Sequence, residues 1–239
     1  MRQITSSENI RSIIDAIRKS PEEKKRYEEA RAEEARKEAE RAKQERIELL
    51  NLRWRLANVP SNYHHSRLVP FTSAPRNNQD KINMLNQLKV LEQIKNIDDV
   101  TKHNIIFHGG YGKGKTHFAT CLVRKVLWNN QTAGFVRARE YCDFKNKKSD
   151  RVDFFENIRF LVLDEVGDFD MPQWEKMWLK ELIIARDANG FKTLVTTNLD
   201  SAGIREFFRG RAEDRLLNSA TRFVNFDVVN GACSLRGVR

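Results

Sequence analysis

The sequence predicts an α/β core, with a parallel sheet flanked by helices, preceded by a helical N-terminal extension. Three observations carry this expectation. From residue 104 onward, apolar strand-like runs alternate with helical stretches, a pattern that calls for parallel strands joined by crossover helices. One of those runs leads through a glycine-rich segment at 109–116 straight into a helix. Ahead of the core stands a section made almost wholly of Glu, Lys, Arg and Ala.

Three sections follow: a helical extension over 1–57, a linker with a lead-in helix over 58–103, and the core over 104–239. In the first, Ser6 and Ser7 offer caps, and Ile10, Ile13, Ile14 and Ile17 recur on one face of a short helix. Ser20-Pro21-Glu22-Glu23 then reads as a fresh start, with Ser20 as N-cap, Pro21 at the first helical position and Glu23 completing a capping box. Over 22–48 opposite charges recur at helical neighbour distances with few large apolar residues, which predicts a long solvated spacer helix. Leu49, Leu50, Leu52, Trp54 and Leu56 end it as a cluster expected to pack on the protein's own core.

The linker opens at Val59-Pro60 and carries Pro70 and Pro75. Ile82, Leu85, Leu88, Leu91 and Ile94 predict an amphipathic helix over 80–95 with a structural role. The core then reads as a strand over 104–108, a helix from 115, a strand over 134–137 and a helix to 147. After these come a strand over 159–164, a helix over 173–188, a strand over 192–197 and a last strand over 221–227.

A chain of 239 residues accommodates one such core and a modest appendage. Its formal net charge of +10 points to an anionic partner, nucleic acid first, although an anionic membrane surface would attract the same patch. Cys121, Cys142 and Cys233 are widely spaced and lack the close pairs of a structural zinc site, which fits a reduced, cytoplasmic setting. No apolar run reaches the length of a membrane span, and charges occupy the N-terminal stretch where a signal peptide would be hydrophobic. A soluble, unprocessed protein is expected.

The motif with most chemistry is Gly109-Gly110-Tyr111-Gly112-Lys113-Gly114-Lys115-Thr116, a phosphate loop between a strand and a helix. Glycines let backbone N–H groups converge on phosphate oxygens, and the helix that follows aims its positive end at the same charge. With His117 these residues form the expected nucleotide-contacting set, taking ATP with Mg²⁺. Lys115 is expected to reach the β- and γ-phosphates and Thr116 to ligate the metal. About fifty residues on, Phe160-Leu161-Val162-Leu163 delivers Asp164 and Glu165 at a strand end, Asp164 supporting the metal and Glu165 polarising a water. Asn198, after Leu194-Val195-Thr196-Thr197, is placed to meet the γ-phosphate or that water.

The runs GGYGKGKTHFA, FLVLDEVGDF, TLVTTNL and GRAEDRLLN, with ANVPSNY ahead of them, closely resemble the DnaC/IstB family of AAA+ proteins, from about Ala57 to the C-terminus. The resemblance implies an AAA+ P-loop ATPase acting as a homo-oligomer, with ATP between subunits and Arg215 as the arginine finger offered to a neighbour. Arg211 lies on the same helical face and could assist, and Arg236 could be a sensor-2 arginine. The family binds single-stranded DNA, and its helicase loaders add an N-terminal segment that grips the replicative DNA helicase. For DNA contacts the expected residues are Phe135, Arg137, Arg139, Tyr141, Lys145, Lys147 and Lys148, aromatic for stacking and basic for phosphates.

Three functions compete. The first is an ATP-dependent helicase loader. The second is an IstB-like transposition ATPase that assembles on duplex DNA and recruits a transposase. The third is a non-hydrolysing adaptor, against which Lys115, Asp164, Glu165, Asn198 and Arg215 together argue.

Overall fold

The computed structural model describes residues 21–68, 78–94, 97–167 and 170–230. Ser6, Ser7, the isoleucines at 10–17, Ser20, Pro70, Pro75, Cys233 and Arg236 lie outside them. The chain divides into two compact units, Met1–Asn51 and Leu52–Arg239.

The described part of the first unit belongs to helix α1 (Pro21–Leu56). Its strong helix formers supply propensity, and pairs such as Lys37–Glu33 at 2.6 Å add a few tenths of a kcal/mol each. The last residues of α1, from Leu52, fall in the second unit. The expected cluster does not pack as a whole: in the second unit Trp54 is buried, with Ala57 just beyond the helix, whereas Leu52 and Leu56 remain exposed, as does Leu49 of the first unit. A helix turns only one face inward, and positions 54 and 57 occupy it.

Trp54 lies under the Arg124 guanidinium, 4.1 Å from the ring centroid, and Arg53 bonds the Asn130 side chain. Beyond it Ala57 O accepts from Phe135 N (2.7 Å) and Asn58 Nδ2 donates to Phe135 O (3.0 Å). Backbone and carboxamide thus close an outer edge of the sheet that would otherwise expose unpaired groups. Asn58 does this from the left-handed region (φ 61), which asparagine tolerates well among non-glycine residues.

Helix α2 (Asn78–Ile94) leads to strand β1 (Ile105–His108). After the phosphate loop come α3 (Lys115–Trp128), β2 (Ala133–Arg137), α4 (Ala138–Asn146), α5 (Arg151–Asn157) and β3 (Phe160–Val166). The chain continues through α6 (Gln173–Ala188), β4 (Lys192–Thr197), α7 (Ser201–Phe208), α8 (Arg211–Leu216), β5 (Arg222–Asn225) and α9 (Phe226–Asn230). The strands form one sheet in the order β2-β3-β4-β1-β5, every pairing parallel. Both faces are covered, so β1, β3 and β4 read as nearly unbroken apolar runs. One core gathers Ile106, Val136, Leu161, Leu163 and Val195 of the sheet with Leu179, Leu182 and Ile204 of the helices.

Three expectations are corrected. α2 faces inward through Gln87, Val90 and Ile94, leaving Ile82, Leu85 and Leu88 about half exposed. Its C-terminal half sets this rotation, since the helix packs on β5 and α9 and Gln93 Oε1 accepts from Asn225 N (3.3 Å). β5 stops at Asn225, whose Oδ1 accepts from Asp227 N (2.9 Å) and turns the chain into α9. The third concerns α5 and α7, which the sequence does not announce; each is eight residues or fewer and offers too few turns for a periodic signal.

Arg186 is buried, and among the described residues no carboxylate pairs with it. Its guanidinium donates to Thr193 Oγ1 (2.9 Å) and to the carbonyls of Phe155 (2.6 Å), Ile158 (2.9 Å) and Lys192 (2.6 Å), joining α6 to the starts of β3 and β4. Among the described residues no helix is long and apolar enough to cross a membrane.

Candidate phosphate-binding site

β4 lies between β1 and β3, so three strand ends open on one crevice: the glycine loop after β1, Asp164-Glu165 on β3, and Asn198 after β4. The loop depends on glycine. Gly109, Gly112 and Gly114 have φ of 132°, 71° and 89°, conformations that side chains resist. Gly114 precedes α3, whose first-turn amides point into the loop.

Lys115 Nζ donates to Gly109 O (2.5 Å), Gly110 O (2.9 Å) and Asn198 Oδ1 (2.5 Å), tying the loop to β4. Thr116 Oγ1 donates to Asp164 Oδ1 (3.0 Å), and Thr196 Oγ1 donates to the same oxygen (2.5 Å). Burial pushes the Asp164 carboxyl up to about 6; Glu165 adds to this, and the Thr196 and Thr116 hydroxyls and Arg137 oppose it. Asp164 Oδ2 and Asn198 Nδ2 are buried with no hydrogen-bond partner among the described residues. A buried carboxylate oxygen left over beside a threonine hydroxyl suits a hard divalent cation, so these residues fit Mg²⁺.

Glu165 departs from strand geometry. Its φ is 59°, at a register irregularity between Leu163 and Val166, and its N–H donates to Thr196 Oγ1 (3.0 Å). A left-handed conformation in a non-glycine residue costs about 1–3 kcal/mol. Here it swings the side chain out of the sheet, where Glu165 Oε2 lies 3.4 Å from Arg137 Nε. Thr196 therefore serves both residues of the Asp164-Glu165 pair, a role the sequence does not announce because threonine is common in strands.

The other loop residues differ in exposure: Lys113 is buried, while Tyr111 is 64% exposed at the tip. His117 Nδ1 bonds Ser66 Oγ (3.1 Å) and its Nε2 lies 3.7 Å from Cys121 Sγ. Burial lowers the His117 pKa, which favours the neutral ring. Arg124 reinforces the same junction by donating to His64 O (2.6 Å). Burial pushes the Cys121 and Cys142 thiols up to about 12, which makes them unreactive.

Arg215 stands apart from this cluster. Its guanidinium is 3.5 Å from Asp187 Oδ2, at the far end of α6, and its backbone carbonyl accepts from Asn104 Nδ2 (3.0 Å). Asn104 precedes β1, so Arg215 sits near the opposite end of the sheet from the loop that follows β1.

Two expected DNA contacts are corrected. Phe135 and Tyr141 are fully buried, and Tyr141 Oη donates to Glu156 Oε1 (3.1 Å); neither can stack on a base. Phe135 lies on a strand covered on both faces and Tyr141 on the inner face of α4, so burial outweighed their aromatic character. Arg137, Arg139, Lys147 and Lys148 are exposed, whereas Lys145 is partly buried and pairs with Glu156 (3.4 Å).

A family model described as IstB-like ATP binding protein matches residues 15–220. The chain is 25% identical over 192 residues to YdaV of Escherichia coli (strain K12), covering 76% of this chain and 77% of that protein. It is 23% identical over 159 residues to the replicative helicase loader DnaC of Buchnera aphidicola subsp. Schizaphis graminum, covering 62% and 65% of the two chains. With the IS232 ATP-binding protein of Bacillus thuringiensis subsp. berliner it shares 24% identity over 163 residues, covering 63% and 61%. The chain thus spans a little under two thirds of the latter two relatives. The crystal structure of DnaI matches with a TM-score of 0.55 at 14% identity, over 75% of this chain and 95% of that one. Domain III of the Thermotoga maritima replication initiation protein DnaA matches at 0.50 and 14%, over 70% and 68%.

Proposed function

Because the chain belongs to the IstB-like ATP binding protein family, we propose that it is an AAA+ ATPase acting as a helicase loader, assembling on single-stranded DNA to deliver a replicative ring helicase. The observation that carries the ATPase reading is the convergence of Lys115, Thr116, Asp164, Glu165 and Asn198 on one crevice. The loader reading is supported by similarity to proteins named DnaC.

In this reading the amides of 111–116 and Lys115 grip the β- and γ-phosphates, Gly109 and Gly110 shape the start of the loop, and Tyr111, Lys113 and His117 line the nucleotide's surroundings. Thr116 and Asp164 hold Mg²⁺, which neutralises phosphate charge when bound. Thr196 fixes Asp164, and Asn198, already bonded to Lys115, orients the γ-phosphate side of the site. Glu165 accepts the proton of the attacking water once it leaves Arg137. Arg215, near the opposite end of the sheet, serves the nucleotide of a neighbouring copy, so the active form is a homo-oligomer. Arg137, Arg139, Lys147 and Lys148 offer charge to DNA phosphates, and the N-terminal extension captures the helicase. The setting is the cytoplasm.

Similarity to an insertion-sequence ATP-binding protein favours a second reading, a transposition ATPase on duplex DNA. The deciding experiment measures binding to single- and double-stranded DNA with ATP and Mg²⁺, together with phosphate release and capture of the host's replicative helicase. A variant lacking residues 1–51 is included, because Trp54 and Ala57 belong to the second unit. Single-strand preference, with helicase capture that disappears on truncation, supports the loader. Duplex preference without helicase capture supports the transposition ATPase, and no phosphate release under any condition leaves the adaptor.

A further inference from the structure

Asp227 lies outside every motif of the nucleotide site, in the first turn of α9, and still touches the phosphate loop. Both carboxylate oxygens accept from the Gly110 N–H, at 3.0 Å and 3.1 Å. Gly109 is pressed against the same side chain: a Cβ there would stand 3.0 Å from Asp227 Oδ2 and 3.1 Å from the Asp227 backbone nitrogen. The carbonyls of Gly109 and Gly110 accept from Lys115 Nζ. The leading half of the loop is therefore gripped by an anion on its amide and by a cation on its carbonyls.

Asp227 takes its own position from the sheet. Asn225 Oδ1 accepts from the Asp227 N–H (2.9 Å), and the Asn225 N–H donates to Gln93 Oε1 of α2 (3.3 Å). β5 runs beside β1 with Asn225 in register with His108, so the carboxylate arrives from a neighbouring strand end one residue from the start of the loop.

The loop needs such support. Gly109, Gly110, Gly112 and Gly114 make its backbone unusually free, and a freer backbone loses more entropy when ordered around a ligand. A site ordered beforehand binds more tightly because that loss does not accompany binding. A carboxylate on a backbone N–H is a charge-assisted bond, stronger than a neutral one and suited to holding a peptide plane.

We propose that Asp227 is a positioning residue of the nucleotide site, which pre-orders the leading half of the phosphate loop by fixing the Gly110 amide. The proposal rests on the reading of residues 109–116 as the ATP-binding loop.

The test titrates fluorescent ATP and ADP analogues into the full chain as wild type, Asp227→Ala, Asp227→Asn and Lys115→Ala, and records each nucleotide-free melting midpoint. Asn keeps an acceptor oxygen for the Gly110 N–H, whereas Ala removes it. The expected result is about five- to twentyfold weaker binding of both nucleotides by Asp227→Ala, the range a lost charge-assisted bond allows. Asp227→Asn is expected to stay within about threefold of wild type, and both variants to melt within about 2 °C of it, since the group is exposed at the surface. Asp227→Ala binding within twofold of wild type overturns the proposal. So does loss of affinity that follows loss of melting midpoint equally in Ala and Asn, which is the mark of a structural role only. Undiminished binding by Lys115→Ala instead overturns the reading of the loop itself, whatever the Asp227 variants do.

Discussion

Arg137 and Glu165 meet across the ends of two adjacent parallel strands, with Nε and Oε2 3.4 Å apart and both side chains partly exposed. Glu165 is thereby held against a cation supplied by the neighbouring strand, and Arg137 stands in register with Asp164.

Under the ATPase reading, removing this cation frees the carboxylate. A pair this exposed is worth less than about 1 kcal/mol, so Arg137→Ala is expected to raise DNA-free phosphate release by no more than about fivefold. Glu165→Gln is expected to lower it by at least about 100-fold while nucleotide binding persists. Steady-state phosphate release and an equilibrium titration check both; unchanged release in Glu165→Gln removes that residue from the chemistry.

The buried Asp164 carboxyl makes stability depend on pH in metal-free buffer. Its folded pKa of about 6 lies above the unfolded value near 3.9. The folded state therefore holds the proton more tightly, and stability falls as pH rises from about 4 to about 6 and then levels. The penalty at pH 7 is on the order of 3 kcal/mol. Asp164→Asn is expected to recover much of it at pH 7 and little at pH 4, while losing Mg²⁺-dependent turnover. Urea denaturation with a chelator at both pH values measures the difference, and equal effects at the two values contradict the assignment.

Arg186 should be among the costliest positions to change. Its guanidinium serves the carbonyls of Phe155, Ile158 and Lys192 together with Thr193 Oγ1. Arg186→Met leaves buried acceptors unpaired, each lost partner costing about 1–3 kcal/mol. A loss of at least about 3 kcal/mol is expected in chemical denaturation, and a loss under about 1 kcal/mol would show that the cavity rearranges or admits water.

Arg124 over Trp54 offers a measurable cation–π pair. A double-mutant cycle with Trp54→Leu and Arg124→Met is expected to give a coupling of about 1 kcal/mol. No coupling would mean that Trp54 stabilises the region by burial alone.

The parts legible in sequence were those whose signal is local. The apolar runs of β1, β3 and β4, and the glycine spacing of 109–116, reflect backbone requirements met within a few residues. Position on a surface was less legible. Ile82, Leu85, Leu88 and Ile94 read as one inward face, yet Ile94 alone of these four is buried, and Gln87 and Val90 join it because β5 and α9 contact that side of α2. Phe135 and Tyr141 resembled stacking residues until the sheet and α4 enclosed them. Thr196 and Asp227 carry no signal of their own, since each acquires its role only when distant strands become neighbours.

The Ala57–Asn58 corner also makes the sheet edge a mechanical junction. It fastens to Phe135, and two residues further along the same strand stands Arg137, the residue that restrains Glu165. A pull on the chain at Ala57 is received by β2 at Phe135, across the strand, through these two hydrogen bonds. A single two-residue step of β2 therefore separates the anchorage of the sheet edge from the cation beside the Glu165 carboxylate.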